Sequence, residues 1–282
     1  MVRMGDREIP TGDFAAIRTD NNRVLATGLS NQYALVQNSD LVNAVRDVFD
    51  SHDMGDYRQE TFVTNGGSYV NVRFDFGEQK DFKLAKVGDE LGMRLVLKNS
   101  FDGSVAAGFA LGFLRKVCSN GMIALSKEFS FSRRHKGENL SLDGIAEALQ
   151  KAVAGFRDEA AKFDLLASVP VSEQQGNNIL SNLAATPLLS SRVARQIADV
   201  WNNRPEYDAT PNLYNVYNAV TAFSTHVLER NSYNSAQNLT KGALKALYEA
   251  AIDEKRLRKL IAPPKFKRAV EAVSASELVR RG

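Results

Sequence analysis

Residues 90–125 read ELGMRLVLKNSFDGSVAAGFALGFLRKVCSNGMIAL. Leu91, Met93, Leu95 and Leu97 alternate with Gly92, Arg94, Val96 and Lys98, which is the period of a strand with one face buried. Asn99-Ser100-Phe101-Asp102-Gly103-Ser104 gathers turn formers, with Asp-Gly as the strongest local signal. Val105 to Leu114 is apolar, holds Gly108 and Gly112 and has no helix cap, so it reads as a second, buried strand returning beside the first. Cys118-Ser119-Asn120-Gly121 makes the next turn, and Met122 to Leu125 starts a third short strand.

Working outward from this hairpin, residues 1–22 are polar and read as an arm or a loosely held edge. Val24 to Leu29 reads as a strand, followed by Tyr33, Leu35 and Val36. Asn38 or Ser39 is positioned to cap a helix whose Leu41, Val42, Val45, Val48 and Phe49 recur at helical spacing as far as Ser51. Tyr57 to Val63 and Tyr69 to Phe76 flank Asn65-Gly66-Gly67, a hairpin signal, with Val70, Val72, Phe74 and Phe76 as the buried set. Phe129 and Phe131 extend the strand pattern, and Arg133-Arg134-His135-Lys136-Gly137 ends it.

A long helix is then expected from Ser141-Leu142-Asp143 to about Ser168, with Ile145, Leu149, Val153, Phe156, Ala160, Phe163 and Leu166 as its stripe and Pro170 as its stop. Beyond Pro170 only helical patterns follow, within 171–189, 191–202, 213–230 and 239–260, before Pro263-Pro264. The fold class is α+β: an antiparallel sheet with helices packed on it, then a mostly helical C-terminal part. The expected divisions are an arm at 1–22, a sheet domain at 23–169, a helical part at 170–262 and a basic tail at 263–282.

Among 282 residues there is one cysteine, Cys118, which excludes an internal disulfide framework and a cysteine zinc cage and fits a reducing cytoplasm. No run approaches the roughly 20 apolar residues of a membrane helix, and the first residues lack a secretory apolar stretch. There is neither a G-x-x-x-x-G-K-[ST] loop nor a G-x-G-x-x-G after a strand, so ATP-driven chemistry and nucleotide cofactors are not expected. The histidines His52, His135 and His226 are scattered. His52 with Asp53 and Asp56 has the residue types for a divalent cation and hence a nuclease, but a polar helix end explains it better. Cys118 would be a nucleophile only beside a positioned base.

The net charge of +3 is unevenly spread. Lys83 to Lys136 carries ten Lys/Arg against four Asp/Glu, and Lys255 to Gly282 nine against two. Such asymmetry points to an anionic partner. Lys98, Arg115, Lys116, Lys127, Arg133, Arg134 and Lys136 fall along the expected sheet or at its rim, interleaved with Phe101, Phe109, Phe113, Phe129 and Phe131. Cations along a groove neutralise phosphates, and aromatic faces stack unpaired bases at about 1–3 kcal/mol each. Lys98, Phe101, Arg115, Lys116, Lys127, Arg133, Arg134 and Lys136 are therefore the candidate nucleic-acid contacts, with core packing as the competing role for the phenylalanines. Tyr214, Tyr217 and Asn218 beside Val216, Val220 and Phe223 would suit either a subunit surface or packing against Trp201, and packing is preferred.

Lys98-Asn99-Ser100-Phe101-Asp102-Gly103-Ser104, an apolar strand, and Val117-Cys118-Ser119-Asn120-Gly121-Met122 together resemble the phage/plasmid-like proteins of domain of unknown function 932. Their usual pattern is N-S-H-D-G-S, then a strand ending in C-x-N. Leu213-Tyr214-Asn215-Val216-Tyr217-Asn218-Ala219-Val220-Thr221-Ala222-Phe223-Ser224-Thr225-His226 is similar to that family's late L-Y-N-A-V-T stretch. The likeness covers about residues 24–230, and Phe101 stands where a histidine is common. It implies a mobile-element origin but no settled activity. The element order also resembles phage single-strand annealing proteins of the Red-beta kind, in topology alone. Charge, fold and resemblance together lead to one expectation: a non-enzymatic, oligomeric protein that binds single-stranded DNA and anneals it without ATP, metal or cofactor. The alternative is a mobile-element interaction protein whose basic segments meet an acidic host or replication protein.

Overall fold

The structure is a computed structural model that describes residues 2–4, 7–9, 12–52, 54–77, 82–116, 118, 120–123, 130–136, 144–228 and 233–264. It is α+β. The first elements are short antiparallel pairs: β1 (Val2–Met4) with β2 (Arg7–Ile9), and β3 (Phe14–Ile17) with β4 (Val24–Leu29). Residues expected as a loose arm are thus partly in strands. Then come α1 (Asn38–Ser51), β5 (Tyr57–Thr64), β6 (Tyr69–Phe76), β7 (Phe82–Lys83), β8 (Glu90–Ser100), β9 (Ala107–Arg115), β10 (Asn120–Ile123) and β11 (Ser130–Arg133). The helices α2 (Ile145–Ala154), α3 (Phe156–Ala167), α4 (Glu173–Ala184), α5 (Ser191–Asn202), α6 (Leu213–Phe223), α7 (Tyr233–Ala251) and α8 (Glu254–Ile261) complete the chain.

Two single helices of the sequence reading are pairs. The expected helix to Ser168 breaks at Gly155, which caps α2; its expected start at 141–143 lies outside the described residues. The 239–260 helix breaks at Asp253, whose carboxylate accepts from the N–H groups of Lys255 and Arg256 and so begins α8. Neither Asn38 nor Ser39 caps α1; Gln37 occupies that position with no side-chain bond.

The chain forms two compact units: Met1–Lys80 with Met93–Gly112 and Lys127–Gly155, and Asp81–Gly92 with Phe113–Ser126 and Phe156–Gly282. In the sheet unit β5 pairs with β6 through the 65–67 turn, β6 pairs with β8, and β11 pairs with β9, all antiparallel. One sheet face carries Val72, Phe74 and Phe76. Phe49 of α1 packs on it, its ring 5.2 Å from Phe74, 4.9 Å from Phe76 and 5.3 Å from Tyr57. β11 comes so close to β9 that a Cβ on Gly108 would lie 2.0 Å from the Phe131 carbonyl oxygen; only glycine fits there.

The helical unit is arranged around α6, whose Leu213, Tyr214, Val216, Tyr217 and Val220 are wholly buried. Asn215, Asn218 and Thr221 on its other sides are buried too, so α6 is an interior helix, and Tyr214 and Tyr217 are core residues that present no subunit surface. Phe163 of α3 meets both tyrosine rings, and Phe113 stacks on Phe156 at 4.5 Å. This aromatic cluster explains why the unit begins at Phe156 and takes in residue 113, whereas the sequence placed the change at 170. α4 and α5 touch at Gly176, where a Cβ would lie 2.4 Å from the Trp201 ring.

Candidate functional site

The expected contact residues fall into two sets. In the sheet unit, Phe131 and His135 are buried while Arg133, Arg134 and Lys136 are exposed. Phe131 packs beside Phe109 at 6.1 Å. His135 stacks on Tyr33 at 5.1 Å, its Nδ1 2.9 Å from the Ala34 carbonyl oxygen. Two buried rings thus fix a short edge segment and leave three cations facing solvent. The Arg133 guanidinium lies 4.5 Å over the Phe131 ring. Among the described residues none of the three makes an ion pair.

The remaining candidates sit differently. Lys98, opposite Asn71 on the sheet, and Lys116 are half-buried and already engaged in other interactions. Lys127 lies outside the described residues, as does Phe129. Phe101 is a correction: it is 8% exposed, packed against Ala16 and Ala26 with Leu25 and Leu29, and cannot stack a base. The turn around it is self-contained. The Phe101 N–H donates to the Ser68 carbonyl at 2.7 Å, and the Ser104 N–H donates to Asp102 Oδ1 at 2.9 Å. Ser68 Oγ donates to Asp102 Oδ2, Ser100 Oγ bonds both backbone groups of Val105, and Tyr33 donates to the Ser100 carbonyl. Asn99 Nδ2 donates to the Val36 carbonyl and Asn38 Oδ1. The motif therefore folds the hairpin tip back onto the core.

Arg115 is the second correction. Its side chain is 1% exposed in the helical unit, held by Asp208 in a two-pronged pair at 2.7 and 2.8 Å and by Asp89 at 2.6 Å. A guanidinium with two carboxylates in a dry site has no charge to offer a phosphate. Burial alone would lower its pKa, but the Asp208 hydrogen bonds and neighbouring charges outweigh that and raise it, so it stays charged. Burial, with Asp89 and Asp208 adding to it, raises the hydroxyl of Tyr214 well above the ordinary tyrosine value and that of Tyr207 less, despite the opposing pull of Arg115.

Beside this centre is a cavity of about 310 Å³ lined by Cys118, Val200, Arg204, Pro205, Tyr207 and Asp208, with Asn215, Asn218, Ala219, Ala222 and His226 along one line. The latter five follow the three- and four-residue spacing of one helical face, continued through the π-helical turn Ser224–Leu228 after α6. Asn212 caps α6, accepting from the Asn215 N–H at 2.8 Å. Cys118 Sγ lies 3.7 Å from Arg115 Nη1. Sequence reasoning singled out none of Asp89, Tyr207 and Asp208, and it placed Asn215 only within the late family-like stretch 213–226.

His52 Nδ1 faces Ser51 Oγ and the Val48 carbonyl at the end of α1, and Asp53 lies outside the described residues. Among the described residues no group of three His, Cys, Asp or Glu could hold a metal ion, and no helix is long and apolar enough to cross a membrane. The family profile described as Domain of unknown function (DUF932) matches residues 27–259. No curated protein and no solved structure matches the chain.

Proposed function

We propose that this chain, which belongs to the DUF932 family, is a non-enzymatic nucleic-acid-binding protein that holds single-stranded DNA against its sheet unit and promotes annealing without ATP. The observation that carries the reading is the β11 segment: Arg133, Arg134 and Lys136 exposed and unpaired among the described residues, on a backbone pinned by Phe131 and His135. Pinned cations lose little freedom on meeting phosphates, and phosphate neutralisation requires no covalent chemistry. Arg115 and Phe101 take no part.

The test is fluorescence anisotropy with labelled oligothymidylate, comparing the native chain with the triple variant Arg133→Glu, Arg134→Glu, Lys136→Glu. These side chains are exposed, so thermal stability should change by no more than about 0.5 kcal/mol. Binding should be lost. For the native chain, log affinity should fall with log salt at a slope of about −2, as three neutralised phosphates on a single strand require. Unchanged affinity in the triple variant refutes the reading, and capture of an acidic protein without DNA binding would replace it.

A further inference from the structure

We propose that β5 is an assembly edge: it pairs antiparallel with β5 of a second copy of this chain, across a two-fold axis at Gln59, and joins two sheets into one. This pairing is independent of nucleic-acid binding and uses none of the cations on β11.

Among the described residues β5 pairs with β6 on one side and with no strand on the other. An edge strand directs the N–H and C=O groups of every second residue outward, where water or another chain must satisfy them. Native proteins blunt such an edge by shortness, proline, lysine or a bulge. Tyr57-Arg58-Gln59-Glu60-Thr61-Phe62-Val63-Thr64 has none of these. It runs for eight residues, and its register with β6 is unbroken from Tyr57 opposite Phe76 to Thr64 opposite Tyr69. From Arg58 to Thr64 every residue but Glu60 is exposed, with the apolar Phe62 and Val63 at 40% and 57%.

The charges of the strand select its occupant. Arg58 and Glu60 lie two apart, on one face of β5, and form an exposed pair at 2.5 Å that by itself contributes little. A two-fold pairing of identical antiparallel strands sets one residue opposite itself, because hydrogen-bonded and non-bonded pairs alternate along the ladder. With Arg58 or Glu60 on the axis, like charges meet. With Thr61 on the axis Glu60 faces the copy's Phe62, and with Phe62 there it faces the copy's Thr64, so neither charge finds its opposite. With Gln59 on the axis, Arg58 faces the copy's Glu60 and Glu60 faces the copy's Arg58.

That register also sets Tyr57 against the copy's Thr61, an aromatic beside a β-branched side chain, and does so on both sides of the axis. Phe62 and Val63 come alongside residues 55–56 of the copy, which covers part of their apolar surface. A lysine edge repels its own copy, whereas this edge attracts it. In the sheet unit β11 joins at β9, separated from β5 by β8 and β6, so the pairing does not compete with the segment that carries Arg133.

The test is sedimentation equilibrium of the full chain over a concentration series. The native chain should form reversible dimers. Arg58→Glu and Glu60→Arg should each weaken association about tenfold, since two cross-strand pairs turn repulsive at once. Both positions are on the surface, and thermal unfolding checks that the variants stay folded. An equimolar mixture of the two variants should dimerise at native strength, because every charge again meets its opposite across the axis. A fault within one chain could not be repaired by mixing. In a Cys118→Ser background, which removes the single cysteine, Gln59→Cys should give an intersubunit disulfide on mild oxidation and Thr64→Cys should not. Native-strength dimers in both single variants, a mixture no stronger than its parts, or a disulfide at position 64 in place of 59 overturns the proposal. A native chain that stays monomeric also overturns it and leaves the edge to a strand of a different protein.

Discussion

Arg115 closes β9 with its guanidinium 1% exposed between Asp89 and Asp208, whereas Arg133, at the end of β11, lies in the open over the ring of Phe131. Both are arginines at the end of a strand, in one basic stretch of sequence. The first carboxylate on Arg115 comes from the loop before β8, and the second from a position far along the chain, beyond α5. Charge density along a sequence is therefore a poor measure of charge available to a ligand. What matters is whether distant carboxylates come back to the same place.

The comparison can be broken most forcefully at Asp208. Asp208→Ala leaves Arg115 buried with half its pairing gone, and removing one member of a buried pair typically costs about 3–5 kcal/mol. Denaturant unfolding should show a loss of that size. An effect near zero would mean that Arg115 is not dry, and its standing as a surface contact would return. The triple change Asp89→Leu, Arg115→Met, Asp208→Leu should lie nearer the native value, since it leaves no buried charge without a partner.

A smaller effect is expected where β11 meets β9. Gly108→Ala puts a methyl group 2.0 Å from the Phe131 carbonyl oxygen, so strand or backbone must move. Overpacking of this kind costs about 1–3 kcal/mol. Because the shift falls on the strand that carries Arg133, DNA affinity should drop together with stability, although no charge has changed. Weakened stability with native affinity would separate the cations from the rigidity credited to Phe131 and His135.

Much of the fold was legible because period-two and helical spacings are local. The central hairpin, the 57–76 hairpin, α1 and α5 all follow from them. The breaks at Gly155 and Asp253 were less visible, because an apolar stripe continues through both and the caps are single residues. The site was legible only in part. The exposure of Arg133, Arg134 and Lys136 could be anticipated because closely spaced cations at a strand end have few places to go. Phe101 and Arg115 were misplaced because their burial depends on Ala16, Ala26, Asp89 and Asp208, none of them sequence neighbours.

Asp102 sharpens the comparison with the smallest effect: an exposed charge that is nonetheless spent inside its own turn. Burial pushes its carboxyl up, but hydrogen bonds from Ser104, Ser68 and Ser100 outweigh this and hold it below the ordinary aspartate value. A depressed carboxyl contributes stability that is fully present above its unfolded pKa and is lost as pH falls through the folded one. Stability measured down an acid series should therefore decline through the aspartate range and below it, and Asp102→Asn should flatten part of that decline. At neutral pH the substitution should cost about 1 kcal/mol, the usual net worth of a hydrogen bond to the turn. DNA affinity should hold, because Asp102 spends its carboxylate within its own turn, on Ser68 and Ser104. A rise in affinity on removing this negative charge would place the turn beside the bound strand, and the division between spent and available charge would have to be redrawn to include it.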